Sequence, residues 1–173
     1  MKIYEYSPIK NVKKLGMITG ALLLGASILM LTTFLFGEMP YRWSIQLLSI
    51  LMLVVSIFIT SRYIMKSFVY AIIKNDDDSL DLTVTEIQGR HVITVCRIAL
   101  DTIEQITVID QGEKEKTLSV KEKIRTEKRK SFNYRSDLLD EKHICIFTTE
   151  SGTPLAIKLS HDDRLTDILT PHV

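Results

Sequence analysis

The chain has 173 residues, 46% of them hydrophobic and 25% charged, with a formal net charge of +1. That total hides a division: residues 1–66 hold seven Lys/Arg and two Asp/Glu, whereas residues 67–173 hold fifteen and nineteen. A basic, apolar first third is joined to a mildly acidic remainder of about 105 residues, enough for one small core-bearing domain and too few for two.

Two runs without an ionisable residue dominate the first third: Leu15–Gly37 and Trp43–Ser61. As helices they reach about 34 Å and about 28 Å, against a hydrocarbon core of about 30 Å. Only Glu38, Met39, Pro40, Tyr41 and Arg42 separate them, so the pattern predicts a transmembrane helical hairpin with spans at about 15–37 and 43–61. The first run is longer than the apolar core of a signal peptide and a second span follows at once, so an uncleaved anchor is expected.

Lys2, Lys10, Lys13 and Lys14 precede the first span, and Arg62, Lys66 and Lys74 follow the second. Basic flanks stay on the cytoplasmic side. The expectation is a multi-pass protein of the cell membrane with both termini cytoplasmic and the 38–42 turn outside. Tyr41 and Trp43 suit the outer interface. Gly16, Gly20, Ala21 and Gly25 place small residues one turn apart, which lets a helix approach closely. The second span is the expected partner of that face, and a homodimer through it is the alternative. Neither span carries a charge, so no ion or proton path is expected.

After Lys66 the pattern changes to period two. Strands are predicted at Ser67–Lys74, from Leu80 to a Gln88-Gly89 turn, at His91–Ile98, Thr102–Asp110, Ser131–Tyr134, His143–Thr149 and Pro154–Leu159, the last two joined at Ser151-Gly152. Leu155, Ile157 and Leu159 share one face. The stretch from Gln111 to about Arg129 has little apolar content and reads as a hydrophilic loop. A helix closes the chain: Ser160 fits a capping-box start, Leu165, Ile168 and Leu169 form an apolar stripe, and Pro171 stops it. Asp76-Asp77-Asp78 reads as a turn, since it lacks the order of a calcium loop.

The fold class that follows is a membrane α-hairpin (residues 1–66) plus a mainly-β cytosolic domain (residues 67–173). About seven antiparallel strands would curl into a barrel capped by the C-terminal helix. This order resembles the pleckstrin-homology-like (PH-like) fold of bacterial membrane proteins, an uncharacterised Firmicutes-type family with an N-terminal transmembrane hairpin. The residues that carry the resemblance are the span pair, Leu80–Arg90 (LDLTVTEIQGR), and Gly152–Ser160 (GTPLAIKLS) followed by the L-x-x-I-L of Leu165–Leu169. It implies a fold, and binding or scaffolding rather than catalysis; it carries over no catalytic residue.

Candidate sites are few. Lys121, Lys123, Arg125, Lys128, Arg129 and Lys130 form the strongest basic run, interleaved with Glu122 and Glu127. A Lys or Arg held near an anionic leaflet contributes about 1 kcal/mol, so these residues are candidates for contact with anionic phospholipid or a protein partner. A solvated loop is the plainer reading. Cys96 and Cys145 lie in strand-like segments and read as buried reduced thiols, with a disulfide between them open in principle. His143 and Cys145 face the same way on one strand, yet no zinc-ligand spacing is present. No nucleophile elbow, Walker loop or dinucleotide fingerprint occurs. No metal, cofactor or nucleic acid is expected, and the chain is not expected to be an enzyme. The functional expectation is a membrane-tethered binding module that recruits a membrane or cytosolic protein or contacts lipid. The alternative is an accessory subunit of a transporter or envelope-stress complex, assembled through the hairpin.

Overall fold

The structure is a computed structural model that describes residues 1–36, 41–110, 112–138, 141–150 and 152–170. The chain divides into two units, residues 11–66 and residues 1–10 with 67–173.

The first unit is a helix pair: α1 (Val12–Leu35) and α2 (Arg42–Ile59), the latter continued by a π-helical turn at Thr60–Ile64. Both helices are long and apolar enough to cross a membrane. Met17, Leu24, Ile28, Phe34, Leu47 and Ile57 are each more than half exposed, so much of the apolar surface of the pair is not buried within this chain. Asn11 caps α1 by accepting from Lys14 N at 3.2 Å. Glu38, Met39 and Pro40 of the expected turn lie outside the described residues, and Tyr41 (φ 67°) opens α2.

Burial follows one stripe on each helix. On α1 it runs Leu15, Thr19, Leu22, Ala26, Leu29, Thr33, and on α2 Ile45, Ser49, Met52, Ser56, Ile59, with Tyr63 beyond. The alternating four- and three-residue spacing is the seam of a coiled-coil-like antiparallel pair. Ser49 Oγ donates to Ala26 O at 2.9 Å and Ser56 Oγ to Thr19 O at 3.4 Å. These two rungs lie one heptad apart, and small hydroxyl side chains suit such a seam.

The second unit is mainly β, with eight strands in two four-stranded sheets among the described residues. Sheet 1 runs β1 (Lys2–Tyr6), β2 (Lys66–Lys74), β3 (Leu80–Gln88), β4 (His91–Ala99), in that order. Sheet 2 has the order β5 (Ile103–Asp110), β7 (Lys142–Glu150), β8 (Thr153–Ser160), β6 (Lys130–Asn133). A single 3₁₀ turn, Leu100–Thr102, carries the chain from one sheet to the other. Phe68, Tyr70, Ile72, Leu82, Val84 and Ile98 from sheet 1 meet Ile103, Ile144, Ile146, Ile157 and Leu159 from sheet 2 in one core. Helix α4 (Asp163–Leu169) adds Leu165 and Leu169 to it.

Four expectations are corrected here. The first ten residues are not only a basic tail: Lys2–Tyr6 alternates well enough to pair antiparallel with β2, Tyr6 opposite Tyr70. The helix pair is therefore inserted between two neighbouring strands of one sheet. Gln111–Arg129 is not a loop: Lys114–Thr126 form α3, whose Val120 and Ile124, one turn apart, pack on Ile109, Cys145, Phe147 and Ala156. The sheets do not close into a barrel among the described residues, and β6 pairs β8 in parallel. The cap of α4 is Asp162, whose carboxylate accepts from Leu165 N at 2.9 Å, while Ser160 ends β8. Pro171, Ser151 and Gln111 lie outside the described residues. The Asp76–Asp78 segment is a turn, with Asp77 accepting from Ser79 Oγ at 2.7 Å.

Candidate functional site

Among the described residues the two sheets do not close, so each ends in an edge strand. On one side these are β4 and β6, and between them lies a groove of about 560 Å³. Its floor is apolar: Val95, Tyr134, Leu155 and Ile157. A register shift in the β3–β4 ladder between Val84 and Thr85 leaves Val95 as an extra residue on β4. Such a bulge turns an edge strand and re-aims its groups. The Val95 carbonyl accepts from Tyr134 Oη at 3.4 Å, a tie across the groove. Tyr134 stacks on Phe132 (centroids 6.1 Å apart, planes 2° apart) and tilts against Phe68 at 5.7 Å. The result is an aromatic wall next to an open strand edge.

The rim is polar. Arg97 Nε donates to Asp81 Oδ2 at 2.6 Å and Nη2 to Asn75 Oδ1 at 2.7 Å, which fixes its guanidinium. Hydrogen bonding to Asn75, then to Arg97, holds the Asp81 carboxyl below its usual range. Lys130 and Glu150 complete the rim. The Cys96 thiol also faces the groove; burial, then the charge of Glu150, pushes it up to about 11, so it is neutral at pH 7.

The predicted basic residues separate into two groups. Arg129 is 7% exposed in its side chain and is committed internally. It pairs with Glu104 at 2.6 Å and with Glu127, and donates to Thr148 O at 3.2 Å and Leu155 O at 3.4 Å. Its guanidinium sits 5.3 Å from the Phe147 ring centre. Burial alone would lower the Arg129 pKa, but the two carboxylates outweigh it and the net direction is up. Lys123 lies over the same ring at 4.6 Å and donates to Gln105 Oε1. These two hold α3 and β6 to sheet 2. Lys121, Arg125, Lys128 and Lys130 remain exposed.

The four small residues of α1 separate likewise. A Cβ on Gly25 would lie 2.7 Å from Met52 Cε, whereas nothing lies within 4 Å of one on Gly16 or Gly20. Ala21 is exposed. The packing seam uses Thr19, Ala26 and Thr33; of the glycines expected against α2, Gly25 lies against Met52, while Gly16 and Gly20 face open space.

Cys145 is fully buried against α3 and Cys96 lines the groove, in different hydrophobic clusters; both are free thiols. Burial raises Cys145 to about 11. His143 shares the outer face of sheet 2, and burial, then the charges of Arg135 and Lys158, lowers it to about 4. Among the described residues, no three His, Cys, Asp or Glu converge as metal ligands. The groove escaped sequence reasoning because it depends on which strands end each sheet; the one local signal was the Phe132-x-Tyr134 alternation. No protein-family profile, curated protein or solved structure matches this chain.

Proposed function

We propose that this protein is a membrane-anchored, non-catalytic binding module, and that the groove between β4 and β6 receives an extended segment of a partner protein. The observation that carries this reading is that β4 and β6, the end strands of the two sheets among the described residues, flank an apolar floor. An added strand would satisfy edge N–H and C=O groups while its alternate side chains fill the groove. The groove's Cys96 thiol, raised by burial and then by the charge of Glu150, is neutral at pH 7 and so is not an activated nucleophile, which favours binding over catalysis. Kinship with PH-like domains is part of this proposal; two four-stranded sheets with a C-terminal helix packed on their core suit it, and the parallel β6–β8 pair departs from it.

The exposed aliphatic surface of α1 and α2 supports a bilayer-spanning hairpin. The pairing of β1 with β2 requires both ends of that hairpin on one side. The lysines before α1 and the basic residues after α2 favour the cytoplasmic side. Confinement to the membrane raises the effective concentration of any partner there, so weak groove affinity suffices.

A second reading has its own observation: the open Gly16–Gly20 face is available to another protein's span, as an accessory subunit would need. Placing benzoylphenylalanine at Thr94 or at Gly20 in native membranes separates the two. The groove reading expects a discrete adduct from Thr94 that the groove variant Phe132→Glu abolishes. Adducts that form equally from Asp101, away from the groove, would overturn it. A discrete adduct from Gly20 alone supports the second reading.

A further inference from the structure

The β3–β4 hairpin ends in an exposed tip that the core does not explain. Val92 is 64% exposed and Ile93 61% exposed, and as neighbours on a strand they point to opposite faces. Val92 pairs with the half-buried Ile87, and Ile93 with Glu86. The turn between them is Gly89 (φ +59°) and Arg90, followed by His91, both of these side chains exposed. A strand tip apolar on both faces and basic at its turn cannot be burying those side chains within its own sheet.

Chain connectivity fixes where this tip lies within sheet 1. The chain leaves the sheet for α1 after Tyr6 and returns to it at Lys66. β1 runs antiparallel to β2 with Tyr6 opposite Tyr70, so exit and return share one end of the sheet. Asn75 N donates to Ser79 O at 2.9 Å and Thr83 Oγ1 to Ala71 O at 3.1 Å. Continued along the hairpin, that register sets Ile87 level with Ser67. The β3–β4 tip is therefore at the end of the sheet from which both helices depart, and the Asp76–Asp78 turn is at the opposite end.

We infer that this tip docks into the headgroup layer of the bilayer that holds the helices, with Val92 and Ile93 entering the apolar boundary and Arg90 and His91 at the phosphates. The inference rests on the reading of α1 and α2 as membrane spans. The occupant is lipid because of continuity: the covalent entry points of the anchor lie at the same end of the same sheet. Aliphatic side chains flanked by a cation, here Arg90, are the composition that seats at an interface, and that charge favours anionic lipid there. The tip and the two helix connections then hold sheet 1 at three points. That would fix the orientation of the β4–β6 groove above the membrane.

The test uses the full chain in vesicles of phosphatidylcholine and phosphatidylglycerol. Trp43→Phe removes the one tryptophan. Single reporters are then introduced as Val92→Trp, Asp76→Trp at the far turn, and Leu24→Trp on α1. Lipids brominated on the acyl chains and aqueous iodide serve as quenchers. The expected result is bromolipid quenching and blue-shifted emission for the position 92 and position 24 reporters, and iodide quenching for position 76. A position 92 reporter quenched by iodide and blind to bromolipid, with position 24 still quenched by bromolipid, overturns the docking and leaves the membrane reading standing. A position 24 reporter blind to bromolipid overturns both.

Discussion

Replacing Arg129 with alanine separates a structural cation from a binding one. Its side chain is 7% exposed, and its guanidinium bridges Glu104 and Glu127, donates to two sheet carbonyls and covers Phe147. Breaking a fully buried ion pair from one side costs about 3–5 kcal/mol. Here the carboxylates stay wet, with side chains 41% and 39% exposed, so they rehydrate and most of that charge penalty is discounted. The lost carbonyl bonds and ring contact remain, at about 1 kcal/mol each. The expected loss is about 2–3 kcal/mol, against changes within about 0.5 kcal/mol for Lys121→Ala and Arg125→Ala on the exposed face. Cys145 is fully buried, so its reaction with a thiol reagent along a urea series reports unfolding of the β-unit in the detergent-solubilised chain. Arg129→Lys should fall between the two, because an ammonium cannot reproduce the fork. An Arg129→Ala variant as stable as Arg125→Ala would refute the assignment and return Arg129 to the solvated basic stretch.

Three further outcomes follow from the packing. Cysteines introduced at Ala26 and Ser49 should cross-link under mild oxidation. Gly16→Leu and Gly20→Leu should leave that cross-link intact, while Gly25→Leu, aimed at Met52, should reduce it. Tyr4 donates to the Asp162 carboxylate that caps α4, so Tyr4→Phe should cost about 1 kcal/mol and Asp162→Ala about 2 kcal/mol in a thermal melt of the β-unit. Burial, then Asp162, pushes the Tyr4 hydroxyl well above its ordinary range, so it remains a donor throughout. His143 titrates at about 4 when folded and at about 6.5 when unfolded. Between those values the unfolded chain binds the extra proton, so stability falls as pH drops through that window. The size is about 1–2 kcal/mol after discounting for partial exposure, and His143→Gln should flatten the profile.

The helix pair and most strands were legible because their signals are local. Uncharged runs of bilayer length and alternating segments need no partner to be recognised, and β2 through β5, β7 and β8 fall on the period-two segments. What escaped depends on tertiary context. Lys2–Tyr6 is five residues beside a basic stretch, and only its pairing with β2 makes it a strand. Of its apolar residues, helix α3 packs Val120 and Ile124 on the sheet and leaves Leu118 exposed, so its amphipathic stripe is too narrow to stand out among lysines and glutamates. Small residues at Gly16 and Gly20 permit close packing without specifying it; the seam went to residues spaced in fours and threes. The groove was the least legible feature, since its walls come from strands distant in sequence and its existence from the failure of two sheets to join.

The most direct test of the central claim, a bilayer-crossing pair inserted between two adjacent strands of a β-unit, is cysteine accessibility in sealed, inside-out vesicles. Cysteines placed at Lys2, Tyr41 and Thr153 are probed with a membrane-impermeant maleimide. The account predicts labelling at Lys2 and Thr153 from the exposed cytoplasmic face and protection at Tyr41 until the membrane is permeabilised. Labelling of Tyr41 together with the other two, or of Lys2 and Thr153 from opposite faces, would contradict it.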